Sequence, residues 1–329
     1  MSILITGGLG YIGSHTAIEL LDADKDIVIV DNLSNSDLSV LDKIKKITNK
    51  NFAFYELDIR DEVKLNEVFK KENIDSVLHF ASYKAVGESM ENPLMYYDNN
   101  IISTISLLKV MKKYNVNKIV FSSSATVYGI PKELPITEEH PCSPVNPYGR
   151  TKLIIENILK DVVNSDKNFN AAILRYFNPV GAHKSGLIGE NPKGTPNNLM
   201  PFLIKVANKE IDKLKIFGNS YDTKDGTGVR DYIHIVDLAK GHLKALDALY
   251  TSTGLLTYNL GTGVGYSVLD VVDTFSRVNN IDIPYEFTDN RAGDVSTYYS
   301  SVSKAKKELN WEVQHTLEDM CIDSWKSKK

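Results

Sequence analysis

A short apolar run followed by regularly spaced glycines opens the chain. Ile3-Leu4-Ile5 has the composition of a fully buried parallel strand, and it leads into Gly7-Gly8-Leu9-Gly10-Tyr11-Ile12-Gly13. Residues 14–21 then have the pattern of a helix. A strand, a glycine turn and a helix in this order let the backbone approach a pyrophosphate, which the free amides of the helix N-terminus bind. The feature predicts a dinucleotide-binding unit, although a glycine turn alone can be purely structural.

The next apolar run supports a dinucleotide. Ile27-Val28-Ile29-Val30 is a second predicted strand, and it ends at Asp31, 18 residues after Gly13. A carboxylate at this place accepts hydrogen bonds from the ribose hydroxyls of adenosine and repels a 2′-phosphate. The sequence therefore predicts NAD rather than NADP.

Strands and helices continue to alternate. Residues 52–57, 76–81 and 118–121 are predicted strands, residues 61–71 a helix, and residues 92–114 one long helix. This order predicts an α/β fold, a Rossmann-like doubly wound parallel sheet with a smaller α/β substrate-binding domain. We expect an NAD-binding domain over residues 1–175, to which about residues 228–262 return, and a substrate-binding domain over residues 176–329.

Composition narrows the function further. The chain has 329 residues and a net charge of −4, which argues against a nucleic-acid partner, since such proteins normally present a basic face. Because no apolar run approaches the roughly 18 residues of a membrane span, and no signal peptide follows Met1, we expect no membrane association. Two distant cysteines indicate a reduced, cytoplasmic setting, and the seven histidines lack metal-ligand spacing, so no metal is expected.

A tyrosine and a lysine one helical turn apart are the best candidates for chemistry. Tyr148 and Lys152 follow Pro147, which suits the first turn of a helix. A nearby cation favours phenolate, so we expect the lysine to lower the pKa of the tyrosine. Ser124, 24 residues before Tyr148, closes the run Ser122-Ser123-Ser124 at the carboxyl edge of a predicted strand, where substrates bind in open parallel sheets. The pair alone is more often plain helix surface, so it needs this context.

Taken together, these motifs resemble the extended short-chain dehydrogenase/reductase family, and within it the branch that inverts C4 of UDP-hexoses. The resemblance covers nearly the whole chain. It rests on residues 6–15, 122–129, 148–152, 175–181, 196–201, 226–234 and 291–294.

The resemblance implies an isomerase that interconverts UDP-galactose and UDP-glucose through a transient 4-keto sugar, with hydride passed to tightly bound NAD and returned. Tyr148 would take the O4 proton, Lys152 would bind the nicotinamide ribose, and Ser124 would relay the proton. The residues implied to hold NAD are Gly7, Gly10, Tyr11, Ile12, Gly13, Asp31, Asn32, Asp58, Ile59, Phe80, Ala81, Lys84, Asn99, Ser122, Ser124, Tyr148, Lys152 and Tyr176. Those implied to hold the UDP-hexose are Ser124, Tyr148, Asn178, Asn198, Leu199, Phe217, Arg230, Arg291, Asp294 and Tyr298.

Two further expectations come with the resemblance. Tyr298 matches a position where a bulky side chain narrows the sugar pocket, which implies poor use of N-acetylated sugars. Pairing of subunits through the helix before Tyr114 and the helix at Tyr148 implies a homodimer. Ser82 stands where relatives usually have glycine, and Arg150-Thr151 replace the commoner Lys-Ser; we expect neither change to affect the chemistry.

Two alternatives remain open. A nucleotide-sugar 4,6-dehydratase shares the fold, the cofactor and the Tyr/Lys pair, but it needs an acid and a base directly after the serine, where this chain has Ala125 and Thr126. A non-catalytic NAD-sensing protein could keep the glycine turn and Asp31, but it has no need for Ser124, Tyr148 and Lys152 together.

Overall fold

Parallel strands joined by helices build most of the molecule. The computed structural model describes residues 1–191, 198–290 and 294–328. The strands are β1 (Ser2–Thr6), β2 (Ile27–Asp31), β3 (Ala53–Glu56), β4 (Ile74–His79), β5 (Lys118–Ser124), β6 (Asn170–Tyr176), β7 (Asn178–Val180), β8 (Leu214–Phe217), β9 (Val229–Arg230), β10 (Tyr232–His234), β11 (Leu255–Leu260), β12 (Tyr266–Ser267), β13 (Tyr285–Thr288) and β14 (Thr297–Tyr298). The helices are α1 (Tyr11–Asp22), α2 (Ser39–Thr48), α3 (Glu62–Lys71), α4 (Val86–Glu91), α5 (Pro93–Tyr97), α6 (Ser103–Lys113), α7 (Pro147–Ser165), α8 (Leu199–Ala207), α9 (Ile235–Thr251), α10 (Val268–Asn279), α11 (Ser303–Leu309) and α12 (Leu317–Lys326).

The main sheet confirms the predicted fold class. Among the described residues it contains seven parallel strands in the order β11-β6-β5-β4-β1-β2-β3. The chain runs outward from β1 to β3 and then returns to place β4 on the other side of β1. This reversal opens a crevice at the carboxyl ends of β1 and β4, the place where ligands bind in doubly wound sheets.

Alternation along each strand explains why helices cover both faces of the sheet. Ile3 and Ile5 of β1 lie in one buried cluster with residues of α1 and α9, whereas Leu4 lies in a second cluster with residues of α3, α6 and α7. Because successive side chains of a strand point to opposite faces, a wholly apolar strand requires an apolar layer on each side. All five residues of β2 are buried, as this arrangement demands.

Several predicted elements differ from the structure in their bounds. Helix α1 begins at Tyr11 rather than at residue 14, and β4 ends at His79, so Phe80 follows the strand. The long helix predicted for residues 92–114 is interrupted by a π-helical turn, Asp98–Ile102. Inside this turn the buried Asn100 bonds the backbone of Tyr83 at 2.8 and 3.1 Å. Such turns often occur at functional sites, because they redirect side chains.

The later part of the chain forms smaller sheets and also returns to the main one. Three short pairings, β10-β7, β12-β9-β14 and β13-β8, surround a buried cluster to which α8, α10 and α12 contribute, within the described residues. In contrast, α9 packs on α1, and β11 pairs with β6 as an edge strand of the main sheet. The division into domains at residue 175 stays a prediction. None of the helices in the described part of the chain has the length and apolarity of a membrane span.

Candidate active site

The glycine turn fits a dinucleotide. Gly7 has φ of +69°, and a Cβ there would lie 2.8 Å from the Ala81 backbone nitrogen, so only glycine suits the turn. A Cβ at Gly13 would lie 2.8 Å from the Cα of Gly8. Gly10 occupies the N-cap of α1 and offers no side chain to the amides of the first turn, which include those of Tyr11 and Ile12. A bare helix N-terminus beside a side-chain-free turn is suited to an anionic pyrophosphate.

Asp31 lies at the end of β2 and binds the glycine turn. Its Oδ2 accepts a hydrogen bond from the Leu9 amide at 3.0 Å, and its Oδ1 accepts from the Leu33 amide at 2.9 Å and from Ser36 Oγ at 2.7 Å. The carboxylate is buried. It has the place and the chemistry to accept a further hydrogen bond from a ribose hydroxyl.

An ion pair between Arg60 and Asp58 lies on the predicted adenine side of the cleft. The Asn32 amide donates to Asp58 Oδ2 at 3.3 Å, and Arg60 binds the same carboxylate at 2.8 Å. The hydrogen bond from Arg60 lowers the pKa of Asp58. Arg60 also reaches Asp98, in the π-helical turn that contains Asn99. Ile59 is part of the core, so its backbone rather than its side chain would meet a ligand.

Lys84 links the first part of the chain to the second. Its Nζ lies 3.3 Å from Glu190 Oε1, and the same oxygen accepts a hydrogen bond from the Asn198 side chain at 2.8 Å. Lys84 Nζ also lies 5.9 Å from the ring centre of Tyr11, whose hydroxyl donates to the Gly181 carbonyl at 2.7 Å. Two predicted NAD residues and one predicted substrate residue therefore meet around one carboxylate.

The predicted catalytic residues converge between α7 and the carboxyl end of β5. Asn146 caps α7 by accepting the Gly149 amide at 2.8 Å, and Pro147 occupies the first turn. Tyr148, at 8% exposure, lies close enough to Ser124 for the serine hydroxyl to act on its pKa. Lys152 lies one turn later and is 1% exposed; its Nζ donates to the Ser122 carbonyl at 2.7 Å. The structure thus brings together all three residues that the sequence singled out.

The predicted direction of the tyrosine pKa is wrong for this structure. Burial raises the pKa of Tyr148 to about 12, and the hydrogen bond from Ser124 opposes that rise. Lys152 Nζ lies 5.8 Å from the tyrosine ring centre and directs its hydrogen bonds elsewhere. Burial also lowers the pKa of Lys152 to about 7, against the attraction of Glu156. The desolvation of both groups outweighs their mutual effect.

Ser82 and Thr151, which we expected to be neutral, support the site. Ser82 Oγ accepts a hydrogen bond from Lys152 Nζ at 2.9 Å. The buried Thr151 hydroxyl donates to the Tyr148 carbonyl at 2.7 Å and accepts from Asn100 at 3.0 Å, which ties α7 to the π-helical turn. Both side chains therefore help to hold Tyr148 and Lys152 in place, and the expectation that neither departure affects the chemistry stays a prediction.

Aromatic residues line the crevice beside Lys152. The Tyr176 hydroxyl hydrogen-bonds Ser122 Oγ. Its ring centre lies 5.6 Å from that of the buried His242, which also packs against Phe80 at 4.8 Å. Phe80 is followed by Ala81, whose backbone packs close to Gly7. These contacts place residues predicted to bind NAD near Lys152, because Tyr176 and Lys152 both hydrogen-bond Ser122.

The predicted substrate residues are more dispersed. The Tyr298 hydroxyl donates to the Ala125 carbonyl at 2.6 Å, next to Ser124, and its ring centre lies 5.6 Å from that of Phe177. Arg230 and Asp294 form an ion pair at 3.3 Å. The remaining predicted residues lie on separate elements: Asn178 begins β7, Leu199 begins α8 and Phe217 ends β8. Arg291 lies outside the described residues.

Sequence reasoning missed a buried acid on the same helix. Glu156 is 4% exposed, one turn after Lys152, and binds Arg175 and Ser123. Its spacing of four from Lys152 and eight from Tyr148 is the signal that could have revealed it, because residues at these intervals share one helix face.

Comparisons with known proteins agree with this geometry. Residues 4–324 match the family model described as GDP-mannose 4,6 dehydratase. The chain is 55% identical to UDP-glucose 4-epimerase of Bacillus subtilis over 326 residues, which cover 99% of this chain and 96% of that one. Identity to the Pasteurella multocida UDP-glucose 4-epimerase is 54% over 330 residues, covering 100% and 98%.

A solved structure carries the same fold over its whole length. The crystal structure of UDP-glucose 4-epimerase from Bifidobacterium longum, in complex with NAD+ and UDP, matches with a TM-score of 0.96 and 52% identity, covering 100% of this chain and 98% of that one. Identity of this size along the full chain, on a Rossmann-like sheet that brings Ser124, Tyr148 and Lys152 together, shows that the chain belongs to the extended short-chain dehydrogenase/reductase family and, within it, to the UDP-glucose 4-epimerases.

Proposed function

We propose that this chain interconverts UDP-galactose and UDP-glucose by inverting C4 of the hexose, with NAD as its cofactor. The observation that carries the proposal is the convergence of Ser124, Tyr148 and Lys152 beside the glycine turn of a doubly wound sheet. Relatives that share more than half of the sequence are UDP-glucose 4-epimerases, and one of them was solved with NAD+ and UDP.

In each cycle the sugar loses and regains one proton and one hydride, and the residues of the site have different roles in these transfers. Tyr148 takes the proton of the O4 hydroxyl as the C4 hydride leaves, so that a 4-keto sugar forms, and it returns the proton when hydride comes back to the opposite face. Ser124, next to Tyr148 in the site, holds O4 and relays the proton. Lys152 is oriented by Ser82 and Ser122 to bind a ribose hydroxyl.

The cofactor changes the electrostatics of this buried site. NAD+, when bound, supplies the hydride acceptor and a positive charge that favours phenolate. Without that charge, burial holds the pKa of Tyr148 at about 12, so the tyrosine rests as the phenol. The base is therefore active only where an acceptor for hydride is already in place, which couples proton removal to oxidation.

Around the site, the glycine turn, Asp31, Asn32, Asp58, Lys84 and Asn99 are proposed to hold NAD. On the substrate side, Asn178, Asn198, Leu199, Phe217, Arg230, Arg291 and Asp294 are proposed to anchor UDP while the sugar turns. An anchor on the nucleotide leaves both faces of C4 free to meet the hydride in succession.

The 4,6-dehydratase alternative is not favoured. Its water elimination requires an acid and a base directly after the serine. In this chain Ala125 is buried and has no functional group, and the Thr126 hydroxyl donates to Ser124 Oγ at 3.0 Å. The dehydratase description of the matching family model reflects a fold and cofactor that the two activities share. An NAD sensor is not favoured either, because it has no use for the converging catalytic residues.

Incubation of the purified protein with UDP-galactose and no added NAD tests the proposal. We expect UDP-glucose to accumulate to equilibrium, since each cycle returns the hydride and consumes no cofactor. Release of 4-keto product or of free reduced cofactor in proportion to turnover would indicate a dehydrogenase instead. No conversion by protein that contains NAD would contradict the proposal.

Tyr298 is proposed to exclude N-acetylated sugars. Its ring packs on Phe177 and its hydroxyl is fixed on the Ala125 carbonyl, which leaves a rigid bulky group near Ser124. We expect Tyr298→Ser to raise the turnover of UDP-N-acetylglucosamine relative to UDP-glucose by about 10-fold or more, because a steric block is removed. Tyr298→Phe keeps the ring and should not. Equal turnover of both sugars by the unmodified protein would contradict this proposal.

We also propose a homodimer and a cytoplasmic location. Apolar side chains stay exposed on the helices expected to pair, with Leu94 at 80%, Ile102 at 44% and Ile154 at 36% exposure. Sedimentation should show two chains per particle, and Leu94→Glu should shift the particle toward one chain; Val63→Glu, at a 75% exposed residue of α3, is the matched control. The two free cysteines, Cys142 and Cys321, are consistent with a reducing compartment.

A further inference from the structure

Glu156 is a buried acid that the proposed reaction does not use directly. It lies on α7, four residues after Lys152 and eight after Tyr148, and it is 4% exposed. A carboxylate taken out of water costs several kcal/mol unless it is paired and hydrogen-bonded. Its partners therefore decide what it does.

Those partners come from the two strands that carry site residues. Glu156 Oε1 accepts hydrogen bonds from Ser123 Oγ of β5 at 2.5 Å and from Arg175 Nε of β6 at 3.0 Å, and Glu156 Oε2 accepts from Arg175 Nη2 at 2.6 Å. The paired fork of Arg175 fixes the carboxylate in orientation as well as in position. One acid thus joins three elements.

The register of the sheet shows why this bears on the reaction. Ser123 and Arg175 are direct partners across β5 and β6, and the next pair toward the carboxyl edge is Ser124 with Tyr176. Each residue that binds Glu156 is therefore the chain neighbour of a site residue. A change in how α7 sits on these strands would move Tyr148 relative to Ser124.

The part of the Arg175 guanidinium that does not contact Glu156 is also held by hydrogen bonds. Its Nη1 donates to the Tyr128 hydroxyl at 3.1 Å and to the Glu138 carbonyl at 3.2 Å, and Tyr128 in turn donates to Asn259 at 2.7 Å. The guanidinium is held from both directions, so Glu156 cannot turn away with it. A buried network with every member paired is rigid.

Charge provides a second link to the site. The titratable groups that face Lys152 are Glu156 and Tyr148 on α7 and the buried His79 on β4, which stays neutral because burial lowers its pKa to about 3. Glu156 is the anion among them, and it favours the ammonium form of Lys152. Arg175 partly offsets this effect through its ion pair with Glu156.

We infer that Glu156 is a positioning residue for the reaction. Its carboxylate holds the ends of β5 and β6 against α7 and places a negative charge one helical turn from Lys152. This inference rests on the proposed function. It assigns Glu156 no contact with the sugar or with the cofactor.

The test compares pH profiles of epimerisation and of the reduction of bound nicotinamide by sugar, followed by absorbance. Glu156→Gln keeps the shape but removes the charge. We expect kcat to fall about 10-fold or more, because small misplacements of reacting groups are costly, with little change in KM. We expect the alkaline limb of kcat to move about one pH unit lower, since Lys152 loses its ammonium at lower pH without the nearby anion.

Two variants serve as comparisons. Ser123→Ala removes one hydrogen bond and no charge, so kcat should fall while the alkaline limb stays in place. Asp161→Asn makes the same charge change at an exposed position of α7 and should leave the profile as in the wild type. If Glu156→Gln does not fold, Ser123→Ala decides, and a wild-type kcat in that variant overturns the inference.

The remaining outcomes separate the two proposals. An active wild type with an unchanged Glu156→Gln profile overturns the inference and leaves the function intact. A lower kcat with an unmoved alkaline limb overturns it as well, because a merely structural loss would do the same. A wild type that contains NAD but converts no UDP-galactose removes the proposed function first.

Discussion

Burial dominates the chemistry of the individual catalytic residues. Tyr148 and Lys152 are both buried, and desolvation moves their pKa values apart, raising that of Tyr148 to about 12 and lowering that of Lys152 to about 7. A proton shared between two such groups rests on the phenol. The sequence identified the pair correctly but not this balance, because desolvation depends on what the fold packs around each group.

Removal of the phenol tests the base directly. We expect Tyr148→Phe to lower kcat by about 100-fold or more, since general acid–base catalysis typically contributes that much, while the bound NAD content and thermal stability stay close to wild type. Conversion of UDP-galactose and absorbance of the extracted cofactor measure the two effects. Tyr285→Phe, at a tyrosine that is 41% exposed on β13, is the matched control. Wild-type turnover by Tyr148→Phe would exclude this residue as the base.

Close packing of helix α1 against the glycine turn sets the geometry of the cofactor site. Gly13 is the third residue of α1, and a Cβ there would overlap the backbone of Gly7 and Gly8. The helix can lie this near to the strand only because the side chain is absent.

We expect Gly13→Ala to lower the free energy of unfolding by about 2 kcal/mol or more and to reduce the NAD content, because the turn must open to admit the methyl group. Thermal denaturation and cofactor extraction measure these losses. Gly87→Ala is the control: no atom lies within 4 Å of its Cβ position in α4, so alanine should be neutral or mildly stabilising. Equal behaviour of the two variants would contradict the packing argument.

Local sequence patterns predicted most of the elements that carry the site. The apolar runs that became β1 and β2 and the proline-led start of α7 are short-range signals, and the structure confirms them. The π-helical turn at Asp98–Ile102 gave no such signal, because its cause is the inward bonding of Asn100 to distant Tyr83. The Glu156 network was missed for the same reason, since its partners are far apart in sequence.

The whole molecule contains histidines of opposite electrostatic character. His242 is fully buried, and burial lowers its pKa to about 4. His315 forms an ion pair with Asp237 at 2.9 Å, and the hydrogen bond to that carboxylate raises its pKa. The neutral form is favoured by folding in the first case and the charged form in the second.

These shifts predict opposite pH signatures for two variants. The pKa of His242 is lower in the folded state, so stability falls as pH drops from about 6.5 to about 4, by about 3 kcal/mol in total. The stability of His242→Phe, relative to that of the wild type, should therefore rise as pH falls. The pKa of His315 is raised, so its contribution is present at acid pH and lost as pH rises through that pKa. The loss of stability in His315→Gln, relative to the wild type, should therefore be largest at acid pH. Melting temperatures across this range measure both, and parallel curves would contradict the assignment.

The bonds of Asp31 have a consequence for how the protein acquires its cofactor. The carboxylate accepts hydrogen bonds from the Leu9 amide within the glycine turn, from the Leu33 amide and from Ser36, so the protein's own bonds hold the turn in place. Binding of NAD then requires little ordering of the turn, so this ordering costs little of the free energy of binding. A glycine turn held by the protein's own hydrogen bonds suits a reaction in which the nicotinamide ends each cycle as it began. We therefore expect one NAD molecule to serve many turnovers of the same chain.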